Sequence, residues 1–313
     1  MLPSRAKKKR MLIIVNPYAT TVSDRLRNLV VYALAARYDV EAVDTERRDH
    51  ATQICRAAAS ERYDLVVAFG GDGTVNEAAN GLLGSDTPLS CLPGGATNVF
   101  HRTLGIPGDV VDATEHLLAL ADDFRPRKVD VGLVNGRAFV FSAGVGLDAS
   151  VVERVDAHPR LKARLGPYYY SWAAISTFNR RYLVKPPRMK VTVGDEQVDA
   201  VTVIAQNSDP FTYFGTRPIR VCEDAGLESG SLSVGVLRKA TPLELPTLIP
   251  RLLSGRASTV SKHRQITPFP GIAEALVESA DGRPLPVQVD GDYIGAEQSV
   301  RFSAAPGALT VVS

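Results

Sequence analysis

The stretch from Leu65 to Asn80, LVVAFGGDGTVNEAAN, constrains this chain more than any other. Leu65, Val66, Val67, Ala68 and Phe69 make an unbroken apolar run, which suits a strand buried on both faces of a parallel sheet. Gly70, Gly71 and Gly73 then strip side chains from the backbone and leave Asp72 alone among them. Val75, Ala78, Ala79 and Leu82 follow at helical spacing, with Thr74 as the expected cap and Glu77 as its partner in a capping box. Strand, bare loop and helix in that order put free backbone N–H groups and the positive end of a helix dipole at the carboxyl end of a strand, where phosphates of a nucleotide bind. Taken alone, the glycines are better read as a tight turn and Asp72 as a helix cap. A second loop tips the balance.

That loop emerges from the order of the chain. Residues 11–15 read as a buried strand stopped by Asn16-Pro17, and Leu26, Leu29, Val30 and Leu34 as a helix after a polar turn. A second strand is expected over 38–43, then Thr45 and a helix over 51–60, with the glycine-loop strand third. Strands alternating with helices imply right-handed crossovers and a parallel sheet. A fourth strand, 88–92, runs into Pro93-Gly94-Gly95-Ala96-Thr97-Asn98, another loop poor in side chains at the same edge. Thr97 and Asn98 carry donors for phosphate or base; His101 and Arg102 follow on a helix, His101 as an expected surface histidine.

Near Asp130 the texture changes to short β-type runs at 129–134, 138–141, 189–193, 198–205, 232–237, 275–277 and 287–289, separated by turn pairs such as Asn135-Gly136 and Asp281-Gly282. An antiparallel β-sandwich is expected, with helical insertions over 167–182 and near 243–253. The segment 143–149 matches a GxGxxA dinucleotide fingerprint, but no βαβ continuation follows, and a strand-to-helix turn accounts for its glycines.

Composition narrows the function. A net charge of +2 and a pI near 8.4 are too mild to make nucleic acid the main partner. Cys55, Cys91 and Cys222 are far apart and form neither a disulfide framework nor a zinc cluster, which fits a reducing cytoplasm. No signal peptide and no run of 18 apolar residues is evident, so the expectation is a cytoplasmic protein, at most peripheral at the inner membrane face, with 1–10 as a basic tail.

Asn16-Pro17, GGDGT at 70–74, Asn76-Glu77, the PGGATN loop, Asp130-Val131-Gly132, FSAGVGLD at 141–148 and Asp290-Gly291-Asp292 together resemble the bacterial diacylglycerol kinase family, related to sphingosine and ceramide kinases. The resemblance implies an α/β nucleotide-binding domain with a parallel sheet over 11–128, joined by the last strands at about 293–313. A β-sandwich lipid-substrate domain would fill 129–292, with the active cleft between the two. It implies an ATP-dependent lipid kinase acting with Mg²⁺ on a diacylglycerol-like or sphingoid lipid, and is compatible with contact at a membrane surface and with a homodimer.

By the same resemblance Asp72 serves the catalytic Mg²⁺ and the γ-phosphate, and Asp292 is the proton acceptor. The nucleotide contacts would be Asn16, Pro17, Thr20, Thr45, Gly70, Gly71, Asp72, Gly73, Thr74, Asn76, Glu77, Gly94, Gly95, Thr97 and Asn98.

This chain departs from the family in four places. Tyr18-Ala19-Thr20 replaces Ser-Gly-Lys, Val99 replaces an Asp, Glu228-Ser229-Gly230 replaces Asp-Asp-Gly, and Asp292 replaces a common Glu. The second and third of these argue against a structural Mg²⁺ in the second domain. An NAD kinase-like enzyme and a nucleotide-binding regulator with weakened catalysis are the competing readings. Tyr168, Trp172, Ile175 and Tyr182 would form one stripe on the 167–182 helix, either packed on the sandwich or facing a membrane among flanking arginines and lysines.

Overall fold

The computed structural model of the chain describes residues 8–156 and 186–313. These fall into two units, Met1–Val129 with Ala308–Ser313, and Asp130–Gly307.

In the first unit β1 (Arg10–Val15), α1 (Asp24–Leu34), β2 (Asp39–Asp44), α2 (His50–Ser60), β3 (Leu65–Gly70), α3 (Asp72–Leu82) and β4 (Leu89–Pro93) alternate, followed by α4 (Val99–Thr103) and α5 (Val110–Leu120). The strands pair in parallel in the order β2-β1-β3-β4, with Ile13 opposite both Ala42 and Val67, and Ala68 opposite Cys91. Near the chain's end Val311 pairs in parallel with Leu89. Every residue of β3 is buried, as a strand covered by helices on both faces must be. Ser23 caps α1 by accepting from Leu26 N–H, and Asp109 caps α5 by accepting from Val111 and Asp112 N–H.

The second unit holds most of β5 (Arg127–Val134), then β6 (Arg137–Phe139), β7 (Ser142–Gly146), α6 (Leu147–Asp156), β8 (Met189–Val193), β9 (Glu196–Ala200), β10 (Thr202–Gln206), β11 (Thr212–Phe214), β12 (Arg217–Ile219) and β13 (Leu232–Leu237). After these come α7 (Leu245–Leu253), α8 (Ala257–Ser261), β14 (Ile266–Ile272), β15 (Glu274–Ser279), β16 (Leu285–Val289), β17 (Asp292–Glu297) and β18 (Ser299–Val311), the last ending in the first unit. One antiparallel sheet runs β14-β13-β10-β7-β16-β17. Facing it, β15 pairs with β18 and β8, and β8 with β9. Val145, Val203, Val234 and Val287 from the first sheet and Val191, Val277 and Phe302 from the second share one core. Phe139 meets Phe302 edge to face there, ring centroids 6.5 Å apart.

The single strand expected over 198–205 is two strands. β9 belongs to one sheet and β10 to the other, so the chain bends at Val201, whose N–H is taken by Leu237 C=O at 2.9 Å. The expected run 138–141 likewise ends at Phe139, where the chain leaves β6 for β7 in the opposite sheet. The expected helix over 167–182, with its aromatic stripe, lies outside the described residues. All three cysteines are buried, and burial pushes each thiol pKa far up.

Candidate active site

In the first unit β1 and β3 are neighbours whose onward connections leave in opposite directions, and the carboxyl ends of such a pair form the crevice in which open α/β sheets hold ligands. Asn16 follows β1 and Gly71 follows β3, so both border it. Asn16 N–H donates to Phe69 C=O at 3.0 Å, and its side-chain Nδ2 donates to Thr74 Oγ1 at 3.1 Å, tying the first loop to the start of α3. Thr21 N–H donates to Gly94 C=O at 3.2 Å, and Gly94 N–H to Gly70 C=O at 2.9 Å. Three strand ends are therefore stitched together through main-chain groups.

The two glycine loops touch backbone to backbone. A Cβ on Gly94 would stand 2.7 Å from Gly70 Cα, and one on Gly95 2.8 Å from Gly71 Cα. Glycine is required there by close approach, not by dihedral angle. Gly94→Ala is expected to force the loops apart, costing about 1–3 kcal/mol as overpacking does and weakening nucleotide affinity together with the melting temperature. Calorimetric melting and ATP titration check both.

α3 starts at Asp72 with Gly71 as N-cap and no side chain capping it. The expected Thr74–Glu77 capping box is absent. Glu77 instead serves α2, whose N-cap Asp49 has a left-handed backbone and makes no side-chain cap bond; Glu77 accepts from Asp49 N–H at 2.9 Å and Ala51 N–H at 3.1 Å. An uncapped helix N-terminus of three turns is a ready anion site. Asp72 is partly exposed there, and its Oδ1 accepts from Phe100 N–H at a long 3.4 Å.

The other candidate residues divide by position. Gly70 ends β3, Gly71 is the N-cap of α3, Gly73 and Thr74 lie in its first turn, and Gly94, Gly95 and Thr97 lie on the loop after β4, with Pro17 and Thr20 exposed after β1. Asn98 closes its own loop, its Oδ1 accepting from Gly95 N–H at 2.8 Å and its Nδ2 donating to Gly95 C=O at 2.6 Å. Asn76 is buried one turn into α3 and accepts from Asn80 Nδ2 at 2.9 Å. Thr45 is buried at the end of β2, its N–H on Val15 C=O at 2.8 Å. His101, expected at the surface, is 3% exposed, with Nδ1 2.6 Å from Asn98 C=O. Burial holds its pKa below the usual histidine range, so it is a neutral prop for the loop.

In the second unit Asp290 and Gly291 form the two-residue loop between β16 and β17, with φ of 48° and 82°. Both positive values mark the type I′ turn that Asp-Gly favours. Asp290 is 3% exposed, and its carboxylate accepts from the N–H groups of Val140, Phe141 and Ser142 at 2.8, 2.9 and 3.1 Å. Those amides sit where the chain crosses from β6 to β7 and leaves its ladder partners.

Gln288 Oε1 accepts from Gly291 N–H at 2.9 Å while its Nε2 donates to Asp148 Oδ2 at 2.6 Å. Burial pushes the Asp148 pKa up to about 6, against a smaller lowering by Gln288. The partly exposed Asp292 opens β17 directly after this braced turn. Sequence reading singled out the motifs around Asp148 and Asp290 but missed the bracing, which joins residues about 140 and 150 positions apart.

Ser229 Oγ, where the resemblance would put a carboxylate, offers the turn at 228–230 no charge. The Asp130 carboxylate already accepts from Gly230 N–H at 2.6 Å and Gly307 N–H at 2.8 Å, and Ser229 Oγ bonds Gly226 C=O at 2.9 Å. Among the described residues no group of three or more His, Cys, Asp or Glu is placed to hold a metal.

Comparison with known proteins agrees with the geometry. Residues 10–134 match the family described as the diacylglycerol kinase catalytic domain, and residues 141–313 the YegS C-terminal NAD kinase beta sandwich-like domain. The chain is 28% identical over 301 residues to a diacylglycerol kinase of Staphylococcus epidermidis, covering 92% of this chain and 87% of the relative. It is 26% identical over 299 residues to one of Staphylococcus haemolyticus, covering 92% and 83%. A crystal structure assigned to a diacylglycerol kinase of Bacillus anthracis str. Sterne matches with a TM-score of 0.74 and 27% identity, covering 100% of this chain and 97% of the other.

Proposed function

The chain belongs to the bacterial diacylglycerol kinase family, and we propose that it transfers the γ-phosphate of ATP, with Mg²⁺, to a hydroxyl of a diacylglycerol-like or sphingoid lipid. An ATP-dependent lipid kinase has little covalent chemistry to perform; it positions the phosphates, neutralises their charge and orients the attacking hydroxyl. The observation that carries the reading is the pair of interlocked glycine loops at the β1/β3 crevice, with Asp72 at the uncapped start of α3.

In this reading the N–H groups at the start of α3 and the helix dipole hold the phosphates, as helix N-termini do for anions. Asp72, the carboxylate at the start of α3, would hold a Mg²⁺ carried in with ATP, which would supply neutralisation of the phosphate charge. Asp292 accepts the proton of the lipid hydroxyl as its oxygen attacks the γ-phosphorus and ADP leaves. Among the described residues no helix is long and apolar enough to cross a membrane. We place the encounter with lipid at a membrane surface on the cytoplasmic side.

Incubation with labelled ATP, Mg²⁺ and a mixed lipid extract tests the reaction, since a lipid kinase alone moves label into the organic phase. Asp292→Asn is expected to cut that product by about 10²–10⁴-fold, the usual range for a proton-transfer group, while ATP binding stays unchanged. Equal loss of both would make Asp292 structural. The regulator reading rests on Tyr18-Ala19-Thr20, where the family has a phosphate-facing lysine and this chain exposes the Tyr18 side chain. It requires ATP binding without labelled lipid.

A further inference from the structure

Helix α7 is apolar on the side that packs and also on the side that does not. Leu248 and Leu252 face inward against Val201, Leu237 and Ile266, and Leu252 also meets Val260 and Cys222. On the outer side Leu243 is 82% exposed, Ile249 47% and Leu253 44%, with Pro246 and Pro250 exposed between them. A surface helix of a soluble fold ordinarily turns charged residues outward, and a run of large apolar side chains left outside marks a contact surface.

The helix is held firmly in that pose. Glu244, just before its first turn, is buried and accepts from the Arg264 guanidinium at 3.0 Å, while Arg251 Nη1 donates to Thr259 C=O at 3.0 Å. Its outward leucines are thus a fixed feature of the second unit.

Charge selects the occupant. From Arg238 to Arg264 the chain carries six lysines and arginines against one acid, Glu244, and that acid is buried in its pairing with Arg264. Arg238, Lys239, Arg256 and Lys262 are exposed on the segments that flank the helix. Exposed apolar residues on a short helix with exposed cations on both flanking segments are the composition of an element that lies in the headgroup layer of an anionic leaflet. At nine residues α7 is about 14 Å long at 1.5 Å per residue, too short to span a bilayer.

We infer that the exposed apolar side chains of α7 and the turn before it, Leu243, Ile249 and Leu253, flanked in sequence by Arg238, Lys239, Arg256 and Lys262, dock the protein on an anionic phospholipid surface. The choice of occupant rests on the lipid-kinase reading, because the acceptor then resides in that surface. Docking through α7 supplies nothing to the chemistry; it holds the enzyme at the bilayer between turnovers.

The test uses the full chain and phosphatidylcholine vesicles with and without phosphatidylglycerol. Flotation is expected to show binding that requires the anionic lipid and fades with salt. Ile249→Gln with Leu253→Gln, and separately Arg256→Glu with Lys262→Glu, are each expected to reduce binding about tenfold or more without moving the melting temperature. In both variants turnover of a lipid presented in vesicles should fall with it, while turnover of the same lipid dispersed in detergent micelles stays at the wild-type value.

Wild-type protein that ignores anionic vesicles, or variants that bind as tightly as wild type, would overturn the inference. So would size-exclusion results in which the glutamine variant splits a dimer yet binds vesicles unchanged, since the face would then belong to a second copy. Vesicle binding is read without catalysis, so an inactive wild-type protein that still docks through α7 would count against the kinase reading and not against the surface.

Discussion

Asp72→Asn is expected to lower phosphoryl transfer by about 10²–10³-fold or more, the range seen when one preorganised electrostatic group is removed, with the fold intact. Asparagine keeps the shape of the side chain and can still accept from Phe100 N–H, a contact that is long at 3.4 Å in any case. What it loses is the negative charge at the start of α3. In the proposed reaction Asp72 would be the protein's carboxylate ligand for the cation that offsets the phosphate charge, and asparagine would hold that cation more weakly. Turnover measured beside circular dichroism and a melting curve separates chemistry from folding. A folded variant with wild-type turnover would remove Asp72 from the mechanism.

The second large effect is on stability. Asp290→Ala removes the acceptor of three buried backbone N–H groups at the β6–β7 crossing. Each unpaired buried donor costs about 1–3 kcal/mol. Three in one cluster share solvent and relaxation, so a loss of about 3–6 kcal/mol is expected, against the 5–15 kcal/mol that holds a typical domain together. Asp290→Asn should lose less, because its amide oxygen still accepts and asparagine tolerates the left-handed φ of 48° at this position. Urea midpoints in the order Asp, Asn, Ala check the argument; an alanine variant as stable as wild type would refute it.

How much of this was legible depended on how far apart the partners lie in sequence. The alternation of strands and helices before Lys128 rests on local periodicity, and each of those strands forms within a residue or so of where the pattern put it. The glycine loops were readable for the same reason, as was the Asn135-Gly136 turn, where a dipeptide dictates backbone conformation.

What could not be read is what distant residues decide. Glu77 fits a capping box within its own helix, yet α2 lacked a cap and took it. His101 carries no local sign of burial. Residues 198–205 look like one strand because bending between two sheets leaves no mark on hydrophobic pattern. β14 contains Pro268 and Pro270, which argue against a strand, but it lies at the edge of its sheet, where missing N–H donors are tolerated.

The buried thiols give the chain a clock it did not need for its chemistry. With Cys55, Cys91 and Cys222 enclosed and held protonated, the folded protein offers an alkylating reagent no reactive surface sulfur. Every modification event therefore reports an opening. Cys55 and Cys91 sit in the first unit and Cys222 in the second, so pulse alkylation followed by peptide mass mapping would time the loosening of each unit separately, with no label engineered into either.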